Sequence, residues 1–162
     1  MKKFILSVPV LIFLGAGLAM AQTTAQHNVT ITVSAISVIE MTGGGDLTLN
    51  ITSVGSPGSE PEAVQNTDRG LEWTTNQTSK KITVQANTAY STYMLKALAT
   101  SISGGGTASA ETTFDNTNAH DFITGVGTET GSCSIRYSAS ATSGAGSGSE
   151  AHQITYTMMD AM

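Results

Sequence analysis

The chain has 162 residues and a formal net charge of −5, with seven basic residues against twelve acidic ones. That balance argues against nucleic acid as a partner, because a DNA or RNA surface needs clustered cations to displace counterions, and the only adjacent basic pair beyond the N-terminus is Lys80-Lys81. Cys133 is the only cysteine, which excludes an intramolecular disulfide, while 17 glycines, only 12% charged residues and abundant threonine and serine favour strands and turns over helices.

Met1, Lys2 and Lys3 form a short basic start, residues 4–18 are almost unbroken apolar sequence, and Ala19-Met20-Ala21 supplies a small-x-small cleavage pattern. Residues 1–21 are therefore expected to be a secretory signal peptide, leaving residues 22–162 as a single domain. No basic stop-transfer cluster follows the apolar run, so no membrane insertion is expected once the signal is removed. Without Lys2 and Lys3 the net charge becomes −7, which also disfavours adsorption through a basic amphipathic segment. The expected location is secreted, extracellular or at the cell surface.

Residues 27–41 form a long alternating ribbon. Val29, Ile31, Val33 and Ala35 fall on one face and Asn28, Thr30, Thr32 and Ser34 on the other. From Ile36 both faces become apolar, through Ile36 and Val38 on one side and Ile39 and Met41 on the other. At ~3.3 Å per residue the ribbon would reach on the order of 45 Å, too long for one strand of a small sheet. It therefore divides into a first domain strand over 36–41 and an arm over 22–35 that covers either its own sheet or a neighbour's.

Thr42 and the three glycines that follow read as a hairpin turn, and Leu47, Leu49 and Ile51 then alternate with Thr48 and Asn50 as the next strand. Residues 53–70, with Pro57, Pro61 and the acids Glu60, Glu62 and Asp68, read as a long solvated loop. A short strand follows from Leu71, with Trp73 in the core, and another from Lys81, where Ile82 and Val84 alternate with Thr83 and Gln85. Residues 89–100 also fit a helical stripe, yet Tyr93, Leu95 and Ala97 give the period-two face expected in an all-β chain.

Residues 101–118 are a low-complexity loop that Phe114 tucks down. Asp115, Asn116, Asn118 and Asp121 are oxygen-rich, but their spacing departs from a calcium loop and suits Asx turns. A short apolar piece surrounds Phe122. Residues 132–141 and 152–159 alternate well and read as a closing hairpin, with Cys133 on the buried face and Tyr137 and Tyr156 in reach of each other.

The expected fold is all-β: a two-layer antiparallel β-sandwich of immunoglobulin-like type with about seven to eight strands, a jelly roll being the runner-up. No nucleophile motif is present, and His27, His120 and His152 are widely separated, so neither an enzyme nor a metal or cofactor site is expected.

The leader over 1–21, the alternating arm over 28–35 and a final strand over 153–159 near the C-terminus together resemble exported bacterial β-sandwich surface subunits of the pilin or fibre type. The chain departs from chaperone-usher pilins in lacking their cysteine pair and in carrying Ala161 where they have a penultimate tyrosine. The resemblance implies a filament subunit whose N-terminal strand is donated to a neighbouring copy, with Val29, Ile31, Val33 and Ala35 as the inserted knobs. The alternative is a monomeric adhesin or glycan-binding module presenting the loops 53–70 and 101–118.

Overall fold

A computed structural model describes residues 24–162, and the leader expected over 1–21 lies outside them. The chain divides into two units after Val33. Residues 24–33 are solvent-exposed, with no regular secondary structure and no ladder partner among the described residues. The rest is a two-sheet antiparallel β-sandwich.

Nine strands build it: β1 (Ser37–Thr42), β2 (Val64–Thr75), β3 (Lys80–Ala86), β4 (Met94–Ser103), β5 (Thr107–Ala108), β6 (Thr112–Thr113), β7 (His120–Val126), β8 (Glu129–Ser140) and β9 (Ile154–Asp160). One sheet has the order β1-β2-β8-β4-β6 and the other β5-β7-β3-β9. No α-helix forms among the described residues.

The core follows from alternation. Leu71 and Trp73 of β2, Cys133, Ile135 and Tyr137 of β8, and Ala97 and Ala99 of β4 face Ile82, Val84 and Ala86 of β3 and Phe122, Ile123 and Val126 of β7. Phe122 and Ile123 are consecutive yet both buried, because the pairing with β3 slips between Ile82↔Ile123 and Thr83↔Asp121. Such a bulge turns two successive side chains to one face. Gly70 lies where β1, β2 and β8 run side by side, and a Cβ there would come within 2.6 Å of the Cys133 carbonyl and 2.7 Å of Thr42 Oγ1.

Several sequence expectations need correction. No strand forms at Val29, and residues 46–52 join no ladder although their side chains alternate in burial. The glycines after Thr42 take positive φ, but they make no hairpin, since β1 pairs with β2 rather than with the segment that follows it. The last seven residues of the expected 53–70 loop belong to β2, which from Val64 onward pairs with β8 although most of these residues are polar. Its ladder is supplied by the neighbour, so no apolar alternation was needed to form it. The closing hairpin is absent as well: β8 lies between β2 and β4, and β9 pairs with β3 in the other sheet.

Candidate assembly surface

The two lateral sides of the sandwich are built differently. On one side the chain itself closes the gap between the sheets. β5 pairs with β7, β6 pairs with β4, and Phe114 between these contacts is fully buried. Backbone bonds from Ser109 N to the Phe122 carbonyl (3.0 Å) and from Phe114 N to the Leu95 carbonyl (3.0 Å) tie that segment to both sheets.

The other side carries the outer edges of β1 and β9, which approach each other across the sandwich. β9 pairs only with β3, leaving a seven-residue outer edge with no backbone partner among the described residues. Its inward side chains Ile154, Tyr156 and Met158 are only half-buried, in contrast to the sealed positions of β3. Continuing from β1, residues 46–52 place Leu47 and Leu49 against the same core and leave Thr48 and Asn50 in solvent. Arg69 holds the start of this segment through its bond to the Asp46 carbonyl (2.7 Å). The segment thus covers apolar surface without satisfying the backbone of either sheet. The alternation of Leu47, Leu49 and Ile51 was legible in the sequence, whereas its lack of a partner was not.

Of the predicted knobs, Val29, Ile31 and Val33 are 73%, 84% and 71% exposed, and Ala35 is exposed as well. Three branched aliphatic side chains this exposed, so close together in sequence, are unusual on a folded surface. Next to them the backbone is anchored. The Asn76 side chain accepts from Ile36 N (2.7 Å) and donates to the Ser34 carbonyl (2.7 Å), while Thr75 Oγ1 donates to the Ile36 carbonyl (3.0 Å).

The remaining polar clusters are explained by local structure. In the Asp115 loop, Asn116 Oδ1 accepts from Asn118 N (2.8 Å), and Asp121 pairs with Lys81 (2.8 Å). Glu150 accepts from Ser91 Oγ (2.7 Å), Ser91 N (3.2 Å) and Thr92 N (2.5 Å) and faces His152 Nε2 at 3.3 Å. Led by the Ser91 hydroxyl, these donors hold the Glu150 carboxyl down to about 2. Burial pushes the Cys133 thiol up to about 11, so it acts as a small apolar core group rather than a nucleophile.

On the outer face of β1, β2 and β8 a shallow hollow of about 380 Å³ is lined by Val38, Glu40, Glu72, Thr74, Thr130 and Ser132. Trp73 is 3% exposed and presents no stacking platform there. No group of three or more histidine, cysteine, aspartate or glutamate side chains could hold a metal ion among the described residues, and none of their helices is long and apolar enough to cross a membrane. No protein-family model matches the chain, and neither a curated protein nor a solved structure is significantly similar to it.

Proposed function

We propose that the chain is a secreted structural subunit of a surface filament, assembled by β-strand addition. Val29, Ile31 and Val33 of one copy add along the unpaired outer edge of β9 in the next. The asymmetry of the two lateral sides carries this reading: one side is closed by segments that pair with both sheets, whereas the other leaves the outer edges of β1 and β9 without ladder partners among the described residues. An added strand there would gain main-chain bonds from the β9 edge, and its alternate side chains would cover the half-buried Ile154, Tyr156 and Met158. The arm has matching chemistry, three branched aliphatic groups on one face and Asn28, Thr30 and Thr32 on the other.

The two loops that a glycan-binding module would use offer less than their sequence suggested. Much of one is absorbed into β2, and the other closes the far side around Phe114.

Burying one valine or isoleucine fully is worth roughly 1.5–3 kcal/mol, so the three knobs together can contribute on the order of 5 kcal/mol to each junction. In the chain without its leader, the triple substitution Val29→Asp, Ile31→Asp and Val33→Asp is expected to abolish fibres in negative-stain microscopy. The circular dichroism spectrum and melting temperature of the domain should stay unchanged. Unaltered fibres from the triple variant, or a parent protein that remains monomeric at high concentration in sedimentation, would defeat the proposal.

A further inference from the structure

We infer that the arm of a second copy pairs antiparallel with the outer edge of β9 in a single register, with Val29 opposite Met158, Ile31 opposite Tyr156 and Val33 opposite Ile154; this rests on the assembly reading above and names the contacts of that junction. The parity of the β9 edge follows from its two ends. β9 and β3 run without a register shift from Lys80↔Asp160 to Ala86↔Ile154. Just outside those limits Asn87 N donates to the Gln153 carbonyl (3.0 Å) and Ala161 N donates to the Ser79 carbonyl (2.8 Å). Both bonds fit one alternation, in which hydrogen-bonded pairs fall at every second residue. Gln153, Thr155, Thr157, Met159 and Ala161 therefore turn their backbone groups toward β3. Ile154, Tyr156 and Met158 turn theirs to the outer edge, where no strand lies among the described residues. The same three residues are the half-buried ones of β9, packed against the core, while Thr155, Thr157 and Met159 are exposed.

In an antiparallel ladder, two residues that exchange both main-chain bonds lie directly opposite each other, with their side chains on the same face. A strand added to β9 must therefore carry its inward side chains on the residues whose amides bond the edge. The edge thus asks for a segment with apolar groups at three alternate positions and no charge between them. Residues 29–33 meet that requirement, and only the stated register sets all three knobs against all three inward residues. The β1 edge asks for something else. Asn76 N donates to the Ile36 carbonyl (3.2 Å), so the outward backbone groups of β1 are those of Ser37, Ile39 and Met41. Ser37 is polar and exposed and Met41 is 44% exposed, which leaves Ile39 alone as a half-buried group for an added strand to cover. A parallel strand on β9 would bond through the amides of Thr30 and Thr32 instead, in a pairing slightly less stable per residue, and every ladder of this domain is antiparallel.

The test uses as receiver the chain without its leader carrying Val29→Asp, Ile31→Asp and Val33→Asp, which keeps its β9 edge and lacks an apolar arm of its own. Fluorescence anisotropy follows the binding of a labelled synthetic peptide of residues 24–35 in three forms: unmodified, N-methylated at Val29, Ile31 and Val33, or N-methylated at Thr30 and Thr32. Methylation removes the amide hydrogen and leaves every side chain in place. On the three knobs it is expected to weaken binding by about a hundredfold or more, the loss of three net hydrogen bonds of ordinary strength. At Thr30 and Thr32, whose amides face away from β9 in this register, it should change the affinity by less than about threefold. The opposite order of the two methylated peptides means parallel addition and overturns the register while leaving strand addition intact. Equal loss with both also overturns the register, and no loss with either removes backbone pairing at this edge altogether. An unmodified peptide that does not bind the receiver overturns the register and the assembly reading together.

Discussion

Among single residues, the two phenols that meet between the sheets are the most informative. Tyr137 of β8 and Tyr156 of β9 belong to different sheets, and their hydroxyls meet at 2.9 Å, with Phe122 edge-on to Tyr156 at a ring separation of 5.0 Å. The two hydroxyls are each other's side-chain partners, so removing one leaves the other unpaired at a partly buried position between the sheets. Tyr137→Phe and Tyr156→Phe are each expected to cost about 1–3 kcal/mol, and the double variant less than the sum of the two. Urea denaturation of the four proteins closes this cycle, and strictly additive losses would show that the bond does not couple the sheets. Burial holds both phenols above their ordinary pKa, so this contribution is complete below pH 10, the unperturbed value, and is lost above it. The inward faces of these two tyrosines were legible in the sequence, but their meeting was expected across a closing hairpin that does not form. That they bridge the sheets was not legible, because alternation fixes which face a residue takes but says nothing about which strands are neighbours.

At the scale of elements, periodic apolar residues located β3, β8 and β9 closely, since each contributes an inward face to one core. The same rule misplaced strands at both ends of the N-terminal region. Val29 and Leu47 sit in segments with a strand's side-chain rhythm but no ladder, whereas Val64 to Arg69 lacks the rhythm and pairs with β8. Strand identity depends on an available partner, which a local pattern cannot supply. Connections between elements have their own chemistry. The loop before β9 is fastened to the β3–β4 connection by Glu150, whose lowered carboxyl makes its contribution complete above about pH 4.5, lost progressively as pH falls toward 2. Glu150→Gln should weaken this tie at neutral pH and flatten the acid limb, so that denaturation midpoints at pH 7 and pH 3 differ less in the variant than in the parent. Parallel pH profiles would remove Glu150 from the acid response.

For the whole molecule, charge and shape act in opposite directions on assembly. The basic residues Lys80, Lys81, Lys96 and Arg136 are all paired with carboxylates, and Arg69 is occupied by the carbonyls of Gly45 and Asp46. The twelve acidic residues outnumber them, leaving Glu40 and Glu72 directly opposite each other on the outer face of β1 and β2 without an ion-pair partner among the described residues. Copies of a chain with a net negative charge repel one another, and the Debye length shrinks from about 30 Å at 0.01 M salt to about 8 Å at 0.15 M. Raising sodium chloride across that range is therefore expected to shorten the lag before light scattering rises. Slower growth with salt would mean that attraction between charges drives association. The open side with its separate arm has one more consequence. A contact between unlike patches is heterologous, and repeated without ring closure it gives a directional polymer whose two tips expose different chemistry, one an unfilled edge and the other an uncovered strand. Growth at each tip then requires a different part of the incoming molecule. A chain carrying Asp at positions 29, 31 and 33 could receive a strand but not donate one, and would act as a stopper at a single end.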